Sequence, residues 1–75
     1  MTYLEAAFRY QNTPGERELR AVDSMREVYG IQRIRFDEKQ HAVCVLFDAS
    51  RIKAPAVARM LRQAGIDLSE QLALA

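Results

Sequence analysis

The chain has 75 residues, which allows one domain with a small core. An apolar fraction of 49% and a charged fraction of 28% are ordinary for a globular protein, and a formal net charge of +1 gives no general pull toward nucleic acid or an anionic membrane. The longest apolar run, Ala42 to Phe47, is far too short to span a bilayer.

Leu4, Ala6, Phe8 and Tyr10 alternate with Tyr3, Glu5, Ala7 and Arg9, so a first strand with one buried face is expected. Gln11 to Gly15 is a loop. Thr13 before Pro14 reads as a helix N-cap followed by proline at the first helical position, with Glu16 in the first turn. The helix is expected to run to about Val28, with Leu19, Ala21, Val22, Met25, Val28 and Tyr29 as its apolar stripe. Gly30 ends it in a left-handed conformation.

Ile31, Ile34 and Phe36 mark a second strand, and Asp37 to Gln40 a polar turn. His41 to Asp48 is a third strand, with Val43, Val45 and Phe47 on one face and Ala42, Cys44 and Leu46 on the other. After a turn at Asp48 to Arg51, a second helix covers about Ala54 to Ala64. Val57, Met60 (or Ala58), Leu61 and Ala64 form its inner side, and Gly65 ends it. Ile66 to Ala75 carries the weakest pattern, and Leu72, Leu74 or their alternates mark a short fourth strand. The fold class is thus α+β, a ferredoxin-like βαββαβ sandwich over residues 1–75. Both helices lie on one face of an antiparallel sheet, the first and third strands are central, and the fourth is at an edge.

No basic n-region precedes the first apolar residues, Glu5 interrupts them, and Met1 reads as a true start. No signal peptide is therefore expected, and the expected compartment is the cytoplasm. Cys44 is the single cysteine and makes no internal disulfide, which agrees with reducing surroundings.

From Gly30 to Ile66 the order and spacing are specific: Gly30-Ile31, Ile34, Phe36-Asp37, Val43, Val45, Phe47-Asp48, Ile52, Val57, Leu61 and Ala64-Gly65-Ile66. This segment of 37 residues resembles the heavy-metal-associated domain family, the small copper-chaperone-like fold. Ile66 stands where that family usually has an aromatic. Counted back from Gly30 without a gap, the family's Met-Thr-Cys-x-x-Cys loop falls on Asn12 to Arg17. Threonine is kept, but Pro14 and Arg17 replace the two cysteines and Asn12 the methionine. The first strand is also offset by one residue, which an insertion or bulge near Tyr10 to Asn12 would absorb.

Copper(I) and similar soft ions need thiolate sulfur. Proline offers no ligand, and arginine sets a fixed positive charge where the cation would sit. His41 and Cys44, three apart on one strand, would point to opposite faces. No metal ligands and no cofactor are therefore assigned. What the resemblance still implies is docking around the loop and first helix, here Gln11, Asn12, Thr13, Pro14, Gly15 and Arg17. The expected partner is a metal-transport or redox protein, or a second copy in a homodimer.

A second candidate surface is the outer sheet face, where Ala42, Cys44 and Leu46 form an apolar row rimmed by Arg33 and Arg35, with Tyr3 and Ala7 alongside. It lacks the outward aromatics on which RNA-binding sheets stack bases, so no nucleic-acid role is assigned. Two alternatives stay open. One is a metal role through a non-standard or intersubunit site. The other is small-molecule binding, since Thr13-Pro14-Gly15 before a helix resembles the ACT domain, whose turn amides at this place face an amino-acid effector. No catalytic residue is assigned. No nucleophile setting or phosphate loop is present, and Asp37, Glu38 and Asp48 fall at turns, where acids cap and solubilise.

Overall fold

The computed structural model describes residues 2–74 of the chain. Tyr3–Tyr10 forms strand β1, Glu16–Met25 helix α1, Ile31–Asp37 β2, Ala42–Asp48 β3, Ala54–Gln63 helix α2 and Leu68–Leu74 β4. The strands make one antiparallel sheet in the order β2-β3-β1-β4. β1 and β3 are central and β4 is an edge, as expected from the sequence.

The core follows from the alternation. Ala6, Phe8 and Tyr10 of β1 and Val43, Val45 and Phe47 of β3 are buried on one side of the sheet. They form a single cluster with Val22 and Met25 of α1 and with Val57, Ala58 and Leu61 of α2. Both helices therefore cover the same face, and the other face carries no layer of the described chain. Ile31 and Ile34 are both buried although their numbers differ in parity. The pairing of β2 with β3 explains this: Ile31 faces Phe47 and Arg33 faces Leu46, so Gln32 is an extra, bulged residue that flips the alternation.

Several element ends differ from the sequence reading. The N-cap of α1 is Gly15, not Thr13. The Gly15 carbonyl accepts the first intrahelical bond from Leu19 at 3.0 Å, and Glu18 accepts the Gly15 amide at 2.7 Å. Glu18 thus satisfies one of the donors that a helix start leaves open, and it places the first turn two residues later than Pro14 would. The helix also stops at Met25 rather than Val28. Arg26, Glu27 and Val28 donate to Asp23, Ser24 and Met25, three residues back, so the chain tightens out of the α-helix. Val28 and Tyr29 consequently lie on the surface, Tyr29 with 73% exposure; Leu19, inside the helix, is exposed as well, and none of the three is a core residue. In α2, Ala58 is the buried alternate and Met60 is only half-buried.

Gly30 follows with φ +106°, and Gly65 after α2 with φ +99°, both conformations that L side chains resist. A Cβ on Gly30 would stand 2.6 Å from Ile52 Cδ1, and one on Gly65 would stand 2.9 Å from Glu18 Cγ. His41 also has a positive φ, 51°, and belongs to the β2–β3 turn rather than to the strand.

β4 is a full edge strand, longer than its pattern announced; Ala75 lies outside the described residues. Its pairing with β1 skips Ser69, between Leu68 and Glu70, and Leu72, between Gln71 and Ala73. These two bulges explain the missing alternation. β1 itself pairs with β3 without a break from Tyr3 to Arg9.

Candidate docking surface

The uncovered face of the sheet is laid out in rows by the strand register. Arg33, Leu46 and Glu5 stand side by side on β2, β3 and β1; Arg35, Cys44 and Ala7 form the next row; Asp37, Ala42 and Arg9 form the third. Tyr3 begins β1 at one end, half in solvent. Arg35 and Glu5 meet at 3.7 Å, so this pair crosses β3 diagonally between Cys44 and Leu46. Arg9 pairs with Glu70 of β4 at 3.6 Å. Both pairs are exposed and long, the kind that contributes from nothing to about 1 kcal/mol and opens readily. Among the described residues no acid lies within ion-pairing distance of Arg33.

The row expected from the sequence is only partly a surface. Cys44 and Leu46 are half-buried, but Ala42 is 4% exposed and offers nothing to a partner. Its single methyl lies between Arg9 and Asp37 on the flanking strands, and side chains longer than its own close over it. The usable apolar patch is therefore Ala7, Cys44 and Leu46, with Tyr3 at its end. Burial pushes the Cys44 thiol above its ordinary pKa; Arg35 pulls the other way, and Glu5 and Asp37 add to the rise. At neutral pH the sulfur is held as a thiol, a poor nucleophile and a poor metal ligand.

The loop surface is more constrained than its composition implies. The Gln11 amide donates to the Asp67 carbonyl at 2.9 Å, and Asn12 Nδ2 donates to the Asp67 carboxylate at 2.9 Å, which ties the loop to the chain entering β4. Gln11, Asn12, Thr13, Gly15 and Arg17 are exposed and Pro14 is half-buried. Pro14 lines a shallow cavity of about 100 Å³ with Tyr10, Leu19, Phe36 and Glu38. At the helix start Glu18 already accepts from the Gly15 amide. Burial, then Glu38 and Asp37, raise the Tyr10 pKa as well.

His41 does not share a face with Cys44. Its ring lies 5.7 Å from that of Tyr10, whose side chain belongs to the core cluster, whereas Cys44 is on the uncovered face. Among the described residues no three of His, Cys, Asp and Glu are grouped to hold a metal ion. Among them, too, no helix is long and apolar enough to cross a membrane.

One corner goes beyond the sequence reading. Asp48, 4% exposed, accepts from the Ser50 amide at 3.0 Å, from Ser50 Oγ at 2.6 Å and from Arg51 Nε at 3.2 Å. The Ser50 hydroxyl foremost, then the Ser50 amide, the Arg51 charge and the Thr2 backbone hold its carboxyl below the usual range; partial desolvation opposes them. Arg51 in turn lies 4.2 Å above the Tyr29 ring, a cation–π contact. The spacing Asp48-x-Ser50-Arg51 is an available signal for this turn, but the distant Tyr29 is not readable from it.

No protein-family model matches the chain, and no curated protein matches it.

Proposed function

We propose that the chain is a docking module, working through the uncovered face of its sheet and carrying no thiolate metal site of its own. The arrangement is consistent with a ferredoxin-like fold, and the run from Gly30 to Ile66 supports a heavy-metal-associated type of frame that has lost its ligands. One observation carries the reading. Both helices cover one face of the sheet, which leaves Ala7, Cys44, Leu46 and Tyr3 under a single loose ion pair, beside an arginine without an acidic partner among the described residues. A partner suited to this face offers a small apolar patch to Leu46 and Cys44, and carboxylates to Arg33 and Arg35. A metal-transport or redox protein is the class that the resemblance favours.

The test compares the wild-type chain with Leu46→Arg and Arg17→Glu as immobilised baits in extract of the source cells, with thermal melts to show that each variant folds. A specific protein retained by wild type and Arg17→Glu but lost with Leu46→Arg supports the sheet face. Loss with Arg17→Glu alone moves the interface to the loop. Stoichiometric copper(I) or zinc that resists a competing chelator in equilibrium dialysis would overturn the metal-free reading.

A further inference from the structure

The two edges of the sheet are built differently. On β4 the bulges at Ser69 and Leu72 break the regular line of amides and carbonyls that an added strand needs. β2 has its register shift at Gln32 and then runs regularly from Arg33 to Asp37. The register also tells which of its backbone groups face outward. Asp48 donates to the Gly30 carbonyl at 2.8 Å, a bond that flanks a non-hydrogen-bonded pair, here Ile31 with Phe47. Along β3 the pairs then alternate: Leu46, Cys44 and Ala42 exchange bonds with β2, and Val45 and Val43 do not. Ile31, Ile34 and Phe36 therefore turn their amides and carbonyls away from β3, toward the edge.

Two of these outward groups are covered. The Ile31 amide donates to the Val28 carbonyl at 3.0 Å, and Arg26 Nη2 donates to the Ile34 carbonyl at 3.0 Å. Arg26 is the C-cap of α1, and its Nε lies 3.6 Å from the Asp23 carboxylate. Its side chain is 42% exposed, so the charge sits at the rim of the edge and not in the core.

We propose that Arg26 guards this edge and keeps β2 of one copy from adding to β2 of a second. Antiparallel pairing about a two-fold axis at Ile34 would set the two Ile34 residues opposite each other, each amide donating to the other's carbonyl. Arg26 already holds that carbonyl in each copy, and the axis would bring two guanidinium charges together. A second copy is the strand to exclude, because a two-fold pairing needs only this one sequence, and Ile34 and Phe36 are residue types that strands favour. The edge lies to the side of the uncovered face, so the proposal is independent of the sheet-face reading.

Sedimentation velocity from micromolar to millimolar concentration, with amide exchange followed by NMR, tests it. Arg26→Met removes the donor and the charge but keeps the stem, Arg26→Gln removes the charge on a shorter stem, and Arg26→Lys keeps a charged donor. Melting curves show which variants fold. Arg26→Met and Arg26→Gln should associate about tenfold or more tightly than wild type, and Arg26→Lys should behave as wild type does. The Ile34 and Phe36 amides should exchange readily in the monomer and become protected as the first two variants associate. Arg26→Met and Arg26→Gln chains that stay monomeric wherever wild type does overturn the proposal. So does association that leaves those two amides unprotected, or Arg26→Lys associating as tightly as Arg26→Met. A wild-type chain that protects both amides as its concentration rises also overturns it, because its edge is then already in use.

Discussion

Replacing Gly30 by alanine should test how closely the frame is fitted. The new Cβ would meet Ile52 Cδ1 at 2.6 Å and Cγ1 at 2.8 Å, and the backbone would have to keep a φ of +106°. The backbone part costs about 1–2 kcal/mol for an L-residue. The overlap adds roughly 1–3 kcal/mol, because Ile52 sits in the core and yields only by leaving its rotamer. The sum, about 2–5 kcal/mol, compares with a total stability of roughly 4–11 kcal/mol for a chain this long. Urea unfolding followed by circular dichroism should show the midpoint falling with an unchanged slope. Ile52→Val alone should cost about 0.5–1.5 kcal/mol. In the double variant, removal of Cδ1 should return about 1 kcal/mol of the Gly30→Ala loss, while the overlap with Cγ1 at 2.8 Å and the backbone part remain. A Gly30→Ala chain within about 0.5 kcal/mol of wild type would refute this account, since that is the range of an unconstrained surface change. Simple additivity in the double variant would refute the overlap with Cδ1.

Three further outcomes follow from the packing and the charges. Leu61→Ala removes a fully buried side chain from between α2 and the sheet and should cost about 2–5 kcal/mol in the same urea assay; less than about 1 kcal/mol would mean that the core is looser than described. Asp48 has its pKa lowered in the folded chain, so its stabilising share is present above the unfolded carboxyl pKa and is lost as pH falls through the lower folded value; Asp48→Asn should flatten the acid limb of the stability–pH curve, and an unaltered limb counts against the Ser50 and Arg51 contacts. Cys44 should react with a disulfide reagent more slowly in the folded chain than in urea at pH 7, because burial keeps it protonated; equal rates would put the thiol in open solvent.

How far the fold was legible depends on the element. β1 and β3 keep strict alternation because their mutual ladder is unbroken, and period two is all that the reading needs. In β2 the clue was present, since Ile31 and Ile34 cannot share a face of a regular strand, but only the pairing shows Gln32 as the bulge. At α1 two start signals compete within six residues. Thr13-Pro14 is the commoner pattern, while Gly15 with Glu18 prevails by an actual bond. The stripe through Val28 and Tyr29 has helical spacing, but spacing does not report that the last turn tightens and carries both residues outward. The sheet-face row was placed on the correct side. Ala42 was misjudged because its accessibility is set by neighbours on two other strands, which no local pattern contains.

The same contacts separate the positions that the frame fixes from those that the loop leaves open. Gly30 and Ile52, far apart in the chain, constrain each other, because one must lack a Cβ where the other packs. Gly65 similarly clears Glu18 of the first helical turn. Substitution at such positions meets backbone strain and core overlap, each on the scale of a kcal/mol or more. Thr13 and Arg17 meet neither: they are exposed, and Pro14 is only half-buried. Substitutions away from the core usually move stability by less than about 0.5 kcal/mol. Thr13 and Arg17 should therefore tolerate substitution at little cost to the fold. For this reason the Gly30–Ile66 pattern argues for architecture, and any activity has to be argued from Pro14, Arg17 and the exposed faces themselves.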